Sequence, residues 1–315
     1  MNISVVIPLL NEKESLKELC DSISEVMSTY GFSYEIILID DGSNDQSWSE
    51  IEILSENNNE IKGIKFKRNY GKSQALHAGF LSSKGDVVFT MDADLQDDPK
   101  EIPAMYDMIV NDHFDLVSGW KKKRFDSILF KNIPSKIFNF AARVTSGIKL
   151  NDFNCGLKAY KKDVVKNINV YGEMHRYIPV LAKNEGYQKI GEKIVNHRPR
   201  KHGNTKFGPS RFLYGFLDLL TIWFISSFGK RPMHLFGSLG LIMLTTGFIF
   251  AGFLGYDKIF VNPVGRLITE RPEFYISLVT MIIGSQFFSM GFIGELMLKN
   301  INKRPQYVIQ KQTNL

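Results

Sequence analysis

Asp86-Val87-Val88-Phe89-Thr90-Met91-Asp92-Ala93-Asp94-Leu95-Gln96 is the stretch on which the fold turns. A short apolar run stops abruptly on two carboxylates two residues apart. Such a run reads as a strand buried on both faces, the kind found in parallel sheets. The pattern recurs upstream. Ile3–Leu9 is a similar run that ends in Pro8-Leu9-Leu10-Asn11-Glu12. Residues 35–39 end in Asp40-Asp41-Gly42-Ser43, and Ile61–Phe66 is a further strand. Between them, residues 11–30 place Leu16, Leu19, Ile23 and Val26 at helical spacing. Residues 73–82 and 99–110 also read as helices, and 115–118 as a strand. Strands alternating with helices predict a parallel α/β sheet covered on both faces. Ligands of such sheets bind at the carboxyl ends of the strands, which is where the acidic clusters fall.

A solvated turn is the plainer reading of Asp92 and Asp94, since Asp is common in loops. Three acidic strand ends in one α/β domain argue against it. Two carboxylates at a strand end can instead share Mg²⁺ or Mn²⁺ with a nucleotide diphosphate, because these cations take oxygen ligands.

The chain has 315 residues, which suggests about two domains. With 23% charged and 44% hydrophobic residues it is neither a disordered chain nor a collagen-like repeat. Cys20 and Cys155 are too few for a disulfide framework or a four-ligand zinc site. The N-terminus lacks the basic segment and long apolar run of a signal peptide.

The mean hydropathy of −0.11 hides a strong asymmetry. Residues 233–256 and 274–294 contain no Asp, Glu, Lys or Arg. Each stretch can cross a hydrocarbon core, which needs about 20 residues. We therefore expect an α/β domain over 1–208, an amphipathic juxtamembrane helix over 209–232, and a region 233–315 with transmembrane helices near 233–256 and 274–298 and a short tail. Residues 211–228 are apolar but carry Asp218, which is costly at the centre of a span, so an interfacial helix is preferred to a third crossing. Lys230 and Arg231 precede the hairpin, and Lys299, Lys303 and Arg304 follow it. The positive-inside rule places both outer ends, and the α/β domain, in the cytoplasm.

The net charge of +6 is unevenly distributed. Residues 119–136 and 196–211 each carry +5, so the remainder is acidic. Nucleic acid, anionic lipid and phosphorylated substrates are the candidate partners. The patches lack the interleaved aromatics of a nucleic-acid surface, and no nucleic-acid partner is expected.

Taken in order, Pro8-x-x-Asn11-Glu12, Asp40-Asp41-Gly42-Ser43-x-Asp45, Asn69-Tyr70-Gly71-Lys72 and Asp92-Ala93-Asp94-Leu95-Gln96 resemble the nucleotide-binding motifs of glycosyltransferase family 2, with its GT-A, Rossmann-like nucleotide-diphospho-sugar transferase fold. Asp152-x-x-Cys155-Gly156-Leu157-Lys158 and His175-Arg176-Tyr177-Ile178-Pro179 are similar to the branch containing dolichol-phosphate mannose synthase and the bacterial polyprenyl-phosphate glucosyltransferases. The resemblance implies an inverting, metal-dependent transfer of a single hexose from a nucleotide sugar to polyprenyl phosphate at the cytoplasmic membrane face. UDP-glucose is the first expectation, with GDP-mannose and UDP-GlcNAc as alternatives.

It further implies roles residue by residue. Pro8, Glu12, Asp40 and Asp41 would hold the nucleoside. Asp92, Asp94 and Gln96 would bind the metal and diphosphate. Lys121, then Lys131 with Ser135, fall where the family has phosphate-contacting arginines and their serine; as lysines they would act as point charges rather than bidentate forks. Arg200 and Lys206 lie in a glycine-containing basic segment that resembles the acceptor loop. Asp152 matches a position proposed as catalytic base. An acceptor phosphate monoester has a second pKa near 6 and needs little help to ionise, so Asp152 can instead orient the acceptor or help hold the metal, and a purely structural turn is the plainer reading. His175 and Arg176 would line the sugar pocket. A homo-oligomer is left open.

Three other classes compete. A processive polysaccharide synthase would carry Gln-x-x-Arg-Trp and more spans, and that motif does not occur here. A non-catalytic membrane scaffold would have no need of the intact acidic set. A nucleotidyltransferase would need an N-terminal glycine-rich phosphate loop, and residues 1–20 contain no glycine.

Overall fold

The computed structural model describes residues 1–122, 139–140, 142–144, 146–172, 174–199, 224, 228, 231–299 and 309–314. The chain divides into two compact units, one formed by Met1–Ile222 with Pro305–Leu315, the other by Trp223–Arg304.

In the first unit, strands β1 (Ile3–Leu9), β2 (Tyr34–Asp40), β3 (Ile61–Phe66) and β4 (Val87–Thr90) alternate with helices α1 (Lys13–Tyr30), α2 (Ser47–Asn57) and α3 (Lys72–Ser82). Helix α4 (Ile102–Val110) and strand β5 (Leu116–Trp120) follow, then β6 (Lys158–Lys161), α5 (Lys162–Asn167), α6 (Ile178–Asn184) and β7 (Ile190–Ile194). Strand β8 (Ile309–Thr313) comes last. The described strands form one sheet in the order β7-β5-β6-β4-β1-β2-β3-β8. Its centre is parallel, as expected, with β1 between β2 and β4 and β2 beside β3. The sheet as a whole is mixed, which corrects the all-parallel expectation: β6 runs antiparallel to both β4 and β5, and β8 antiparallel to β3.

The central strands are apolar because both faces are covered. Val5, Val6, Ile7, Ile36, Ile37, Leu38 and Ile39 are all fully buried. Helix α1 turns the predicted stripe of Leu16, Leu19, Ile23 and Val26 onto this core. Each such side chain contributes roughly 1.5–3 kcal/mol by leaving water. The helix ends at Gly31, whose φ of 67° is the left-handed cap that glycine adopts without strain.

The second unit contains α7 (Pro232–Tyr256) and α8 (Pro272–Lys299). Both are long and apolar enough to cross a membrane, and their outward faces are exposed hydrophobics such as Ile242, Phe248, Val279 and Phe292. They meet through glycines. A β-carbon at Gly240 would lie 2.6 Å from the Gly284 carbonyl oxygen, and one at Gly284 2.8 Å from the Leu244 nitrogen. The expected juxtamembrane helix falls largely outside the described residues.

Candidate active site

The parallel register brings the carboxyl ends of β1 and β2 level, with Leu9 opposite Asp40. Asp40 is fully buried; its Oδ1 accepts the Ser43 backbone N–H at 2.8 Å, while Oδ2 has no hydrogen-bond partner among the described residues. The Asp41 N–H donates to the Leu9 carbonyl at 2.9 Å. Its carboxylate accepts the backbone N–H groups of Tyr70 at 2.7 Å and Gly71 at 2.9 Å. Burial raises the Asp41 pKa, and these two donors offset part of the rise. Asp41 therefore shapes the Asn69–Lys72 loop. Gly42 completes this docking: it has a φ of 75°, and a β-carbon there would sit 2.4 Å from the Arg68 carbonyl carbon.

That loop delivers Lys72 to the first turn of α3, where its ammonium forms an ion pair with Asp92 Oδ1. Asp92 follows the end of β4. Burial alone would raise its pKa, but Lys72, Lys121 and Lys158 hold it well below the usual carboxylate range. Asp94 is buried, and its Oδ1 accepts the Gln96 N–H at 3.2 Å. Between them Leu95 has a φ of 60°, a left-handed conformation that costs a leucine roughly 1–3 kcal/mol and that clusters at functional sites.

Lys121 is half-buried and its Nζ lies 2.8 Å from Asp97 Oδ1. Burial favours the neutral amine, but Asp97 outweighs it and holds the Lys121 pKa above the usual lysine range. Gln96 and Asp98 also tie the site to the segment near Arg198. The Arg198 N–H donates to the Gln96 carbonyl at 2.9 Å, and its guanidinium pairs with Asp98 at 2.8 Å.

Beside Asp92 opens a cleft of about 230 Å³, lined by Pro8, Lys72, Asp92, Lys158, His175 and Arg176 among others. Lys158 is buried; its ammonium donates to the Cys155 carbonyl, and burial lowers its pKa. His175 is held neutral: burial first, then Lys72 and Arg176, push its pKa well down. Its backbone N–H donates to Ser73 Oγ at 3.0 Å. Gly156 forms one wall, so close that a β-carbon there would lie 2.5 Å from Asp92 Oδ2.

Of the sequence-predicted residues, Pro8 and Asp92 line this cleft, and Asp40 and Asp41 stand at the neighbouring strand ends. Asp94 and Gln96 occupy the turn beyond Asp92. Glu12 is half-buried just before α1, its N–H donating to Ser47 Oγ at 3.1 Å. Asp152 is buried; its Oδ1 accepts the Asn154 N–H at 3.0 Å and its carbonyl accepts Ser118 Oγ–H at 3.2 Å. The four residues that follow it line the cleft. Lys131, Ser135, Arg200 and Lys206 lie outside the described residues. Lys72, Lys158 and Gly156 received no individual role from the sequence, although all three stand inside the motifs quoted above.

Asp92 and Asp94, completed by phosphate oxygens, fit the oxygen chemistry of Mg²⁺ or Mn²⁺, which often bind through one or two carboxylates plus substrate phosphates. Among the described residues no group of three or more His, Cys, Asp or Glu side chains converges. By themselves these two carboxylates would give such an ion a partial ligand shell.

The model of glycosyl transferase family 2 matches residues 4–168, which span the acidic ends of β1, β2 and β4. The chain belongs to glycosyl transferase family 2. Family members similar over nearly the whole chain include the dodecaprenyl-phosphate galacturonate synthase of Rhizobium johnstonii, 33% identical over 99% of this chain and 93% of that one. The undecaprenyl-phosphate 4-deoxy-4-formamido-L-arabinose transferase of Edwardsiella ictaluri is 34% identical over 98% and 93%. Among solved structures, glucosyl-3-phosphoglycerate synthase of Mycobacterium tuberculosis with Mn²⁺, UDP and glucosyl-3-phosphoglycerate superposes with a TM-score of 0.56. It is 18% identical and covers 71% of this family 2 chain and 79% of its own, a likeness of fold alone. The sugars named for the two full-length relatives are galacturonate and a formamido-arabinose. The expectation of glucose finds no support in them and is replaced by an unspecified single sugar.

Proposed function

We propose that this protein transfers one sugar from a nucleotide sugar to polyprenyl phosphate at the cytoplasmic face of a membrane, with inversion at the anomeric carbon. The observation that carries the reading is the placement of Asp92 and Asp94 just beyond β4, beside the ends of β1 and β2, in a chain whose full-length relatives are polyprenyl-phosphate transferases. Pro8, Glu12, Asp40 and Asp41 hold the nucleoside side. Asp92, Asp94 and Gln96 would hold Mg²⁺ or Mn²⁺ together with the diphosphate. When bound, that cation supplies charge stabilisation for the departing diphosphate.

The acceptor phosphate is mostly a dianion at neutral pH and attacks from the face opposite the leaving group. Asp152 positions it rather than being required to remove a proton. Lys131, Ser135, Arg200 and Lys206 would contact the acceptor phosphate. Lys121, engaged by Asp97, contributes a fixed positive charge to the site.

Membrane attachment is through α7 and α8, two crossings that leave both flanking segments in the cytoplasm. The pairing of β8 with β3 supports this reading, because it joins the segment after α8 to the unit that precedes α7. An odd number of crossings would separate them.

The test is transfer by the membrane-embedded protein from a panel of labelled nucleotide sugars, including UDP-galacturonate, UDP-GlcNAc and GDP-mannose, to undecaprenyl phosphate. The expected product is an organic-extractable lipid carrying one sugar. A polymeric product would favour a processive synthase, and no product from any donor by a protein that binds UDP would favour a scaffold.

A further inference from the structure

The Asp92 carboxylate is enclosed on two sides of different character. Gly156 presents fixed backbone to Oδ2. Lys72 presents a flexible ammonium to Oδ1, and its side chain is 36% exposed. Among the described residues the surroundings are electrically balanced. Lys72, Lys121, Lys158 and Arg176 stand against Asp92, Asp94, Asp97 and Asp152. A bare dication therefore meets a site with no net negative charge, a partial ligand shell, and a lysine on one of its two carboxylates. A nucleotide diphosphate meets the opposite: the ammonium groups of Lys72 and Lys158 and the guanidinium of Arg176 line one cleft.

We propose that Lys72 is a latch on the metal site, released by the nucleotide diphosphate. Phosphate oxygens draw the ammonium off Asp92 Oδ1, because a lysine pairs with phosphate as a point charge and needs no fixed geometry. The freed carboxylate oxygen and the incoming phosphate oxygens together then accept the cation. Binding is thus ordered, nucleotide sugar before or with the metal. Lys72 ends on the diphosphate, where negative charge develops as the sugar departs. This inference rests on the transferase reading above and adds to it the residue that sets the order.

The test is Mn²⁺ binding to the detergent-solubilised full chain, followed by the paramagnetic resonance signal of free Mn²⁺, with UDP as probe and UDP-only samples as reference. Wild type is expected to take up Mn²⁺ weakly alone and strongly with UDP. Lys72→Gln should bind Mn²⁺ alone about tenfold or more tightly than wild type, the scale on which a charge in contact acts on a carboxylate. Lys72→Arg, which keeps the charge, should behave as wild type. A thermal shift with UDP identifies folded variants. Equal Mn²⁺ affinity of wild type and Lys72→Gln in the absence of UDP, with UDP-dependent uptake intact, would overturn the latch and leave the transferase reading standing. No uptake by any form even with UDP would overturn the metal site itself.

Discussion

Gly156 and Asp92 are in contact through an absence: a β-carbon built on Gly156 would lie 2.5 Å from Asp92 Oδ2 and 2.6 Å from its carboxyl carbon. The Asp92 carboxylate keeps its place because residue 156 has no side chain. Gly156→Ala must displace it, and overpacking of this kind costs roughly 1–3 kcal/mol. The expected result is at least a tenfold fall in transfer, in a protein that still folds with a melting temperature lowered by several degrees. Wild-type kinetics in Gly156→Ala would show that the Asp92 position is not critical.

Asp94→Asn removes a ligand charge while keeping side-chain size. Transfer should fall by several kcal/mol of transition-state stabilisation, about a thousandfold or more. EDTA should abolish wild-type transfer, and Mn²⁺ or Mg²⁺ should restore it. Full activity of Asp94→Asn in EDTA would rule out the metal-assisted mechanism.

A second carboxylate, far from the cleft in role, sets a pH dependence of stability. Glu35 is fully buried and pairs with Lys62 at 2.6 Å. Burial alone would raise its pKa, but hydrogen bonds from Lys62, Ser4 and the Lys84 N–H bring it below the ordinary 4.5. A depressed folded pKa means that the stabilisation is complete above 4.5 and is lost as pH falls through the lower folded value. Glu35→Gln strands a buried ammonium, at a cost of roughly 3–5 kcal/mol at neutral pH. Thermal unfolding across pH should show the gap between variant and wild type narrowing below 4.5. A gap independent of pH would remove the ion pair as its cause.

Topology is open to thiol labelling with little background. Cys20 and Cys155 are buried, and burial pushes both thiols up to about 12, so neither offers thiolate at neutral pH. A cysteine replacing Asn262, between α7 and α8, should react with an impermeant reagent from outside intact cells. One replacing Gln310 in β8 should react only after lysis. The reverse pattern would require a third crossing, for which residues 211–228 are the available segment.

The central strands were legible because burial on both faces demands an unbroken apolar run, and the acidic ends of β1, β2 and β4 follow directly from where those runs stop. Strand β6 was not legible. Its four residues, Lys158-Ala159-Tyr160-Lys161, are too few for a period, and a lysine at each end disguises a buried segment. Strand β8, Ile-Gln-Lys-Gln-Thr, is a polar edge strand that takes its place by pairing and not by burial. The site divides the same way. Asp92 and Asp94 can be read one after the other, whereas the meeting of Lys72, Gly156 and Lys158 around Asp92 depends on a sheet that reverses direction at β6.

Strand β8 also bears on how the chain can be handled and made. It is held by Thr313 Oγ1 donating to Ser55 Oγ at 2.6 Å and by the Asn314 amide donating to the Ser55 carbonyl at 2.6 Å. Its partner β3 is finished some 240 residues earlier in synthesis, so the catalytic sheet must wait with one border open until both apolar helices have left the ribosome. A fragment cut before α7 would keep that border open permanently. Its bare β3 would offer unpaired N–H and C=O groups to any neighbouring chain, and such a fragment should be prone to clumping unless the last residues are grafted back or supplied as a peptide.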